Sequence, residues 1–181
     1  EDGRSVAEVF EATIHPPLFP ISVSQFPGDF RFHDVADEEF DLGPVHVTAR
    51  LVPHVGNTLG YRIEWNGISV AYLSDHQQPY DGSMRASDGA LELARGVDLL
   101  IHDSQYTQDE FEMKFNWGHC TVDYAVWFAR EAGAKRLALF HHDPTRHDDA
   151  IDAIRDCATT AGSLVGVEVI AAREGLIVRL D

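Results

Sequence analysis

The chain has few thiols: Cys120 and Cys157 are its only two cysteines in 181 residues. Two thiols build no disulfide framework, and their scarcity suits a reducing compartment, so a cytoplasmic setting is expected. Lysine and arginine are also scarce, 14 against 30 aspartates and glutamates, giving a formal charge of −16. A surface for long nucleic acid needs the opposite sign, so such a partner is disfavoured. A small anionic ligand remains compatible, because a bound cation outweighs the field of distant carboxylates. No apolar run approaches the ~20 residues of a membrane-spanning helix, so no membrane partner is expected. The opening Glu1-Asp2-Gly3-Arg4-Ser5 lacks a basic stretch followed by an apolar one, and no secretion signal is read there. Internal repeats and linkers are missing too, which leaves one domain over residues 1–181, long enough to bury a core.

Local patterns predict the elements. Val6 to Phe10 reads as the end of a helix, and the proline-rich His15-Pro16-Pro17-Leu18-Phe19-Pro20 as extended chain. An apolar opening of this kind reads as continuing from something longer. Val45 to Val52 alternates and is rich in β-branched residues, as a strand requires. Leu59 to Trp65 and Ile68 to Leu73 form a hairpin across Asn66-Gly67. Ser87 caps a helix to Arg95, and Val97 to His102 is a buried strand. Thr121 to Ala132 is a helix stopped by Gly133, followed by a strand from Arg136 to Phe140 and a helix from Arg146 to Ala161. Val167 to Ala171 and Leu176 to Leu180 close the chain as strands. A meander followed by alternating helix and strand predicts an α+β architecture of helices layered on sheet.

Four positions then draw notice: His54, Asp75, His119 and His141 each sit where a predicted strand gives way to loop, or just before a helix. Rigid strands ending at one rim can hold cation ligands while loops leave a position open for water. Each position also has an ordinary reading. His54 alone is a loop histidine, Asp75 starts a turn, and His119 stands beside Thr121, a helix cap. Ten histidines in the chain make some chance placement inevitable. Ser74-Asp75-His76 is no catalytic triad, because neighbours on extended chain point to opposite faces. Cys120 and His119, being consecutive, are likewise a poor nucleophile–base pair. In His141-His142, one ring faces a site and the other packs or is solvated, with His141 favoured as ligand. Asp103, ending the strand before it, can orient a site histidine or simply start a turn.

Five stretches together resemble the metallo-β-lactamase superfamily, in its phosphodiesterase and ribonuclease Z-like branch. They are Pro53 to Ile63, Ala71 to Asp75, Asp98 to Tyr106, Trp117-Gly118-His119-Cys120-Thr121 and Leu139-Phe140-His141-His142-Asp143-Pro144. Pro16-Pro17-Leu18-Phe19-Pro20 resembles the loop such proteins carry after their first metal motif. The resemblance implies an αββα sandwich with its site at the rim where two sheets meet. It implies metal ligation by His54, by Asp75 as the carboxylate shared between two ions, and by His141. It makes His119 a catalytic histidine that assists phosphodiester cleavage; beside it, Asp75 is also expected in the catalytic set, and Asp103 and His142 are expected to support the site from behind. The family's H-x-H-x-D-H motif is not found in the chain. The remaining ligands are therefore expected from an upstream segment or a companion chain, the fold is expected to be incomplete at its N-terminus, and a homo-oligomer is an option.

The function expected from this reading is metal-dependent hydrolysis of a small cyclic or nucleotide-like phosphodiester, using two divalent ions. Zinc is the first candidate and manganese the second. The alternatives are tRNA 3′ processing, thioester or lactone hydrolysis on the same fold, and a non-catalytic interaction lobe.

Overall fold

A computed structural model describes residues 3–180. The chain divides into two compact units, residues 1–35 and 36–181.

In the first unit, helix α1 (Val6–Thr13) begins rather than ends at the apolar opening. Ser5 and Glu8 form a reciprocal capping box that fixes its start. The segment from His15 to Pro20 turns instead of extending, and the Phe19 amide donates to the His15 carbonyl at 2.9 Å. Proline fixes φ at a value that turns and extended chain share, so φ alone does not choose between them.

The second unit is a sheet of seven strands in sequential order. They are β1 (Glu39–Leu42), β2 (Val45–Val52), β3 (Thr58–Trp65), β4 (Ile68–Leu73), β5 (Leu99–Asp103), β6 (Arg136–Phe140) and β7 (Glu168–Ala171). The first four pair antiparallel, and β4 through β7 pair parallel. Asn66 and Gly67 take positive φ of 51° and 79°, the geometry a two-residue hairpin with the right twist demands. The parallel strands are joined by helices α2 (Asp88–Ala94), α3 (Gln108–Lys114) and α4 (Val122–Ala132) and by α5 (Asp148–Val165). Ser87, Thr107 and Thr121 cap the first three through side-chain oxygens.

Helices α2, α4 and α5 cover one face of the sheet. Val52, Leu73, Leu100, Leu137 and Leu139 pack there against Leu93 and Phe128. The opposite face is apolar as well, yet Leu51, Ile63 and Trp65 on it are 50, 40 and 55 % exposed. A strand alternates its side chains, so two apolar faces mean two coverings. The helices supply one of them, and the described residues hold one sheet of the two-sheet arrangement.

Sequence expectations also change in the second unit. Leu176 to Leu180 forms no strand: Gly175 turns the chain with φ of 76°, and no ladder partner meets the segment among the described residues. The last helix starts two residues later and runs on through Gly162, which is glycine because β7 lies so close that a Cβ there would stand 2.4 Å from Val169 Cγ2. Strand β1 and helix α3 were not read from sequence, although Thr107 and Glu110 form a capping box. No helix of the described residues is long and apolar enough to cross a membrane.

Candidate metal centre

The register of the sheet gathers the polar residues at one rim. Leu73, His102 and Leu139 are partners across β4, β5 and β6, as are Asp103 and Phe140. Asp75, Asp103 and His141 therefore leave the carboxyl ends of three parallel neighbours, the rim where open α/β sheets bind ligands. Two antiparallel pairings make β2 run parallel to β4, so His54 emerges at the same end.

Asp75, His119 and His141 offer ligand atoms all within 4.8 Å of one another. Asp75 Oδ1 lies 3.8 Å from His141 Nε2, while its Oδ2 accepts the Ser74 hydroxyl at 2.5 Å. His141 holds φ of 57°, a left-handed conformation uncommon outside glycine, which turns the chain as soon as β6 ends. The His119 ring stands 4.7 Å from that of His141 and 5.4 Å from that of His54.

Asp103 orients His119. Its Oδ2 sits 2.7 Å from His119 Nδ1, so Nδ1 carries the hydrogen and Nε2 is left for a cation or a transferable proton. Asp103 is wholly buried, and its Oδ1 accepts the Gln105 amide at 3.1 Å. His54 is fixed in the same manner by a carbonyl: its Nδ1 donates to Gly118 O at 2.6 Å, which leaves Nε2 with the lone pair.

Sequence reading overlooked the part that joins these loops. Gln77 is buried; its amide nitrogen on the backbone donates to Pro53 O at 2.6 Å, and its Oε1 accepts the Gly118 amide at 2.6 Å. Its Nε2 donates to the carbonyls of Phe115 and His119 at 3.0 and 3.1 Å. One side chain thus pins the loop carrying Gly118 and His119 to the strand end carrying His54. No pattern in Gln77-Gln78-Pro79 announces that role.

The neighbouring residues divide as strand geometry requires. Asp75 faces the rim, whereas His76 turns into the core, where its Nδ1 donates to His102 Nε2 at 2.8 Å. His102 Nδ1 in turn donates to Asp103 O at 2.6 Å. Burial holds both rings neutral, lowering His102 to about 4 and His76 well below its usual value. Burial pushes the Cys120 thiol far up, and its Sγ–H is spent on Asp103 O at 3.0 Å, so it is no nucleophile. His142 does not join the cluster: its Nε2 bonds Ala172 O at 3.2 Å beyond β7.

Of the residues read from sequence, the tight group holds Asp75, His119 and His141, with Asp103 behind His119 and His54 one ring further out. Two imidazoles and a carboxylate suit zinc and similar divalent ions. The donor chemistry therefore fits a metal.

Comparison with known proteins agrees. The model of the beta-lactamase superfamily domain matches residues 8–142. Ribonuclease Z from Synechococcus sp. strain CC9311 is 30 % identical over 191 residues, covering 100 % of this chain and 58 % of that protein. Ribonuclease Z from Synechococcus sp. strain WH7803 is 35 % identical, covering 80 % of this chain and 47 % of its own. The chain thus spans about half the length of these curated relatives. Among solved structures, the metallo-beta-lactamase fold protein YhfI from Bacillus subtilis superposes with a TM-score of 0.62 at 26 % identity, over 77 % of this chain and 52 % of that one. The short form of human tRNase Z gives 0.58 at 22 % identity, over 78 % and 46 %. With matched sequence, one rim of strand ends and a fitting donor set, the chain belongs to the metallo-β-lactamase superfamily.

Proposed function

We propose that this chain is part of a metal-dependent phosphodiester hydrolase. The observation that carries the reading is the convergence of Asp75, His119 and His141 within 4.8 Å, with His119 held by the buried Asp103. In this reading Asp75 and His141 would hold divalent ions, and His54, which lies outside the 4.8 Å group, would add a donor through Nε2 while His119 is kept for proton transfer. When bound, such ions acidify a water and neutralise charge growing on the phosphoryl oxygens. His119 delivers a proton from Nε2 to the departing oxygen, and Asp103 keeps the ring aimed by holding Nδ1–H. Three protein donors can serve one zinc. A second ion needs donors beyond these, from a further segment or a companion chain.

The test is turnover of bis-p-nitrophenyl phosphate by the zinc- or manganese-loaded protein, with and without chelator. Turnover lost on chelation and in Asp75→Ala is expected. Turnover that survives either change overturns the reading. Two curated relatives carry the name ribonuclease Z, which favours an RNA 3′ end as a second substrate reading. Cleavage of a precursor tRNA without cleavage of small diesters would select it. A stable fold that takes up no metal would instead favour a non-catalytic lobe.

A further inference from the structure

The loop after β6 carries His141, and two basic side chains fasten that loop to helix α3 and the segment before it. Asp143 shapes the loop with one oxygen and anchors it with the other. Its Oδ1 accepts the Thr145 amide and hydroxyl at 2.9 and 2.6 Å, and its Oδ2 accepts Lys114 Nζ at 3.0 Å. Arg146 makes the second joint: its Nη2 donates to Gln105 O at 2.9 Å and to Glu110 Oε2 at 2.8 Å. The same Glu110 oxygen accepts the amide and hydroxyl of Thr107, the cap of α3, at 2.7 and 3.0 Å. The side chains of Asp143, Arg146 and Lys114 are only 9, 10 and 26 % exposed. Removing one partner from a sheltered pair leaves the other charge uncompensated, so such joints hold position where exposed pairs do little.

Lys114 also reaches towards His119. Its Nζ lies over the Tyr106 ring, 4.9 Å from the centroid, and 5.6 Å from that of Trp117, within the range of cation–π attraction. Tyr106 is buried, and its ring meets that of His119 in a T-shaped contact at 5.9 Å. Its backbone is pinned beside His119 as well: the Tyr106 amide donates to Cys120 O at 3.0 Å, and the Tyr106 carbonyl accepts the Val122 amide at 2.9 Å. Asp143, Lys114, Tyr106 and His119 thus form a continuous chain of contacts. One end of that chain lies two residues from His141, and the other is the ring 4.7 Å from it. Neither cation binding nor proton delivery at the cluster draws on Lys114 directly.

We propose that Lys114 is a positioning residue: its ammonium holds the His141 loop against the Tyr106 ring that meets His119, and so sets the spacing between the cation held at His141 and the proton donor. For its effect on turnover the proposal rests on the hydrolase reading above; for the placement of the two rings it does not. The test is Lys114→Met, which keeps the length of the stem and removes the charge. In the zinc-loaded protein, kcat for bis-p-nitrophenyl phosphate should fall roughly 10- to 100-fold at nearly constant KM. In the zinc-free protein, long-range proton–nitrogen-15 spectra should show the ring resonances of both His119 and His141 displaced. Lys114→Arg should restore both readouts, because a guanidinium also bonds a carboxylate and stacks on aromatic rings. Asp143→Asn should displace the same two rings, and adding Lys114→Met to it should bring no further change, since the joint is already broken. Should Lys114→Met not fold, Lys114→Gln and Asp143→Asn carry the same comparison. Unmoved rings, a displacement confined to His141, or additive effects of the two substitutions would each overturn the role of Lys114. A lower melting temperature with kcat and ring resonances unchanged would overturn it too, leaving the pair a support of the fold alone. If the unaltered protein turns over no diester, the hydrolase reading falls, while the ring spectra still decide the role of Lys114. Turnover by the unaltered protein with unmoved rings in Lys114→Met does the reverse.

Discussion

His54 and Gly118 are locked together, although 64 residues separate them. The Gly118 carbonyl accepts His54 Nδ1–H, and a Cβ on Gly118 would stand 2.4 Å from His54 Cε1 and 2.6 Å from its Nδ1. Gly118 also holds φ of +99°, which side-chain-bearing residues rarely adopt. Glycine is thus required twice over, for backbone conformation and for the space the imidazole fills. Gly118→Ala should displace the ring and weaken cation binding roughly 10- to 100-fold. Calorimetric titration with zinc and nitrogen-15 spectra of the His54 ring check this. Unchanged affinity with an unchanged Nδ1–H signal would remove Gly118 from the site.

Asp103→Asn tests the orientation of His119. An amide keeps the size but cannot accept at both oxygens, so the bond to His119 Nδ1 competes with those to the Gln105 and His76 amides. Turnover should fall roughly 10- to 100-fold. The loss should be greatest for esters with poor leaving groups, which depend most on a delivered proton. A loss independent of the leaving group would mean that Asp103 serves the fold alone.

The linkage between β4 and β5 predicts a pH dependence of stability. Asp98 accepts Lys135 Nζ at 2.7 Å and the Ser69 amide at 2.8 Å, and these bonds lower its carboxyl from 3.8 to about 2. A folded value below the unfolded one stabilises above the unfolded pKa and loses that stabilisation as pH falls through the folded value. Asp98→Asn should therefore cost on the order of 1 kcal/mol at neutral pH. The gap to the unaltered protein should close between about pH 4 and pH 2. Urea melts across that range read it directly, and a gap constant with pH would contradict the assignment.

The partly exposed sheet face predicts association. Leu51, Ile63 and Trp65 share that face and are 50, 40 and 55 % exposed. A contiguous apolar surface of this kind marks an interface or an aggregation hazard. The chain alone should self-associate in light scattering, and Ile63→Lys with Trp65→Lys should shift it towards monomer. A monodisperse monomer of the unaltered chain would show that the face needs no cover.

Much of the fold was legible because its signals are local. The alternation in Val45 to Val52, the turn pair Asn66-Gly67, the cap Ser87 and the stop Gly133 each act within a few residues. Misreadings arose where distant partners decided. Leu176 to Leu180 has strand composition but no ladder, and Gly162 resembles a helix stop until Val169 is seen to fill the space beside it. The capping boxes Ser5–Glu8 and Thr107–Glu110 were present in the sequence and marked helices that the reading misplaced or missed.

By itself the sequence determined which residue types end the strands: Asp75 after β4, Asp103 at the end of β5, His141 after β6 and His54 after β2. It could not determine that His119 would stand within 4.8 Å of Asp75 and His141, that Gln77 would tie the His119 loop to the strand end that carries His54, or that His142 would turn away to Ala172. Side-chain alternation is set by neighbours in the chain, whereas convergence of strand ends is set by ladder register between segments far apart in sequence.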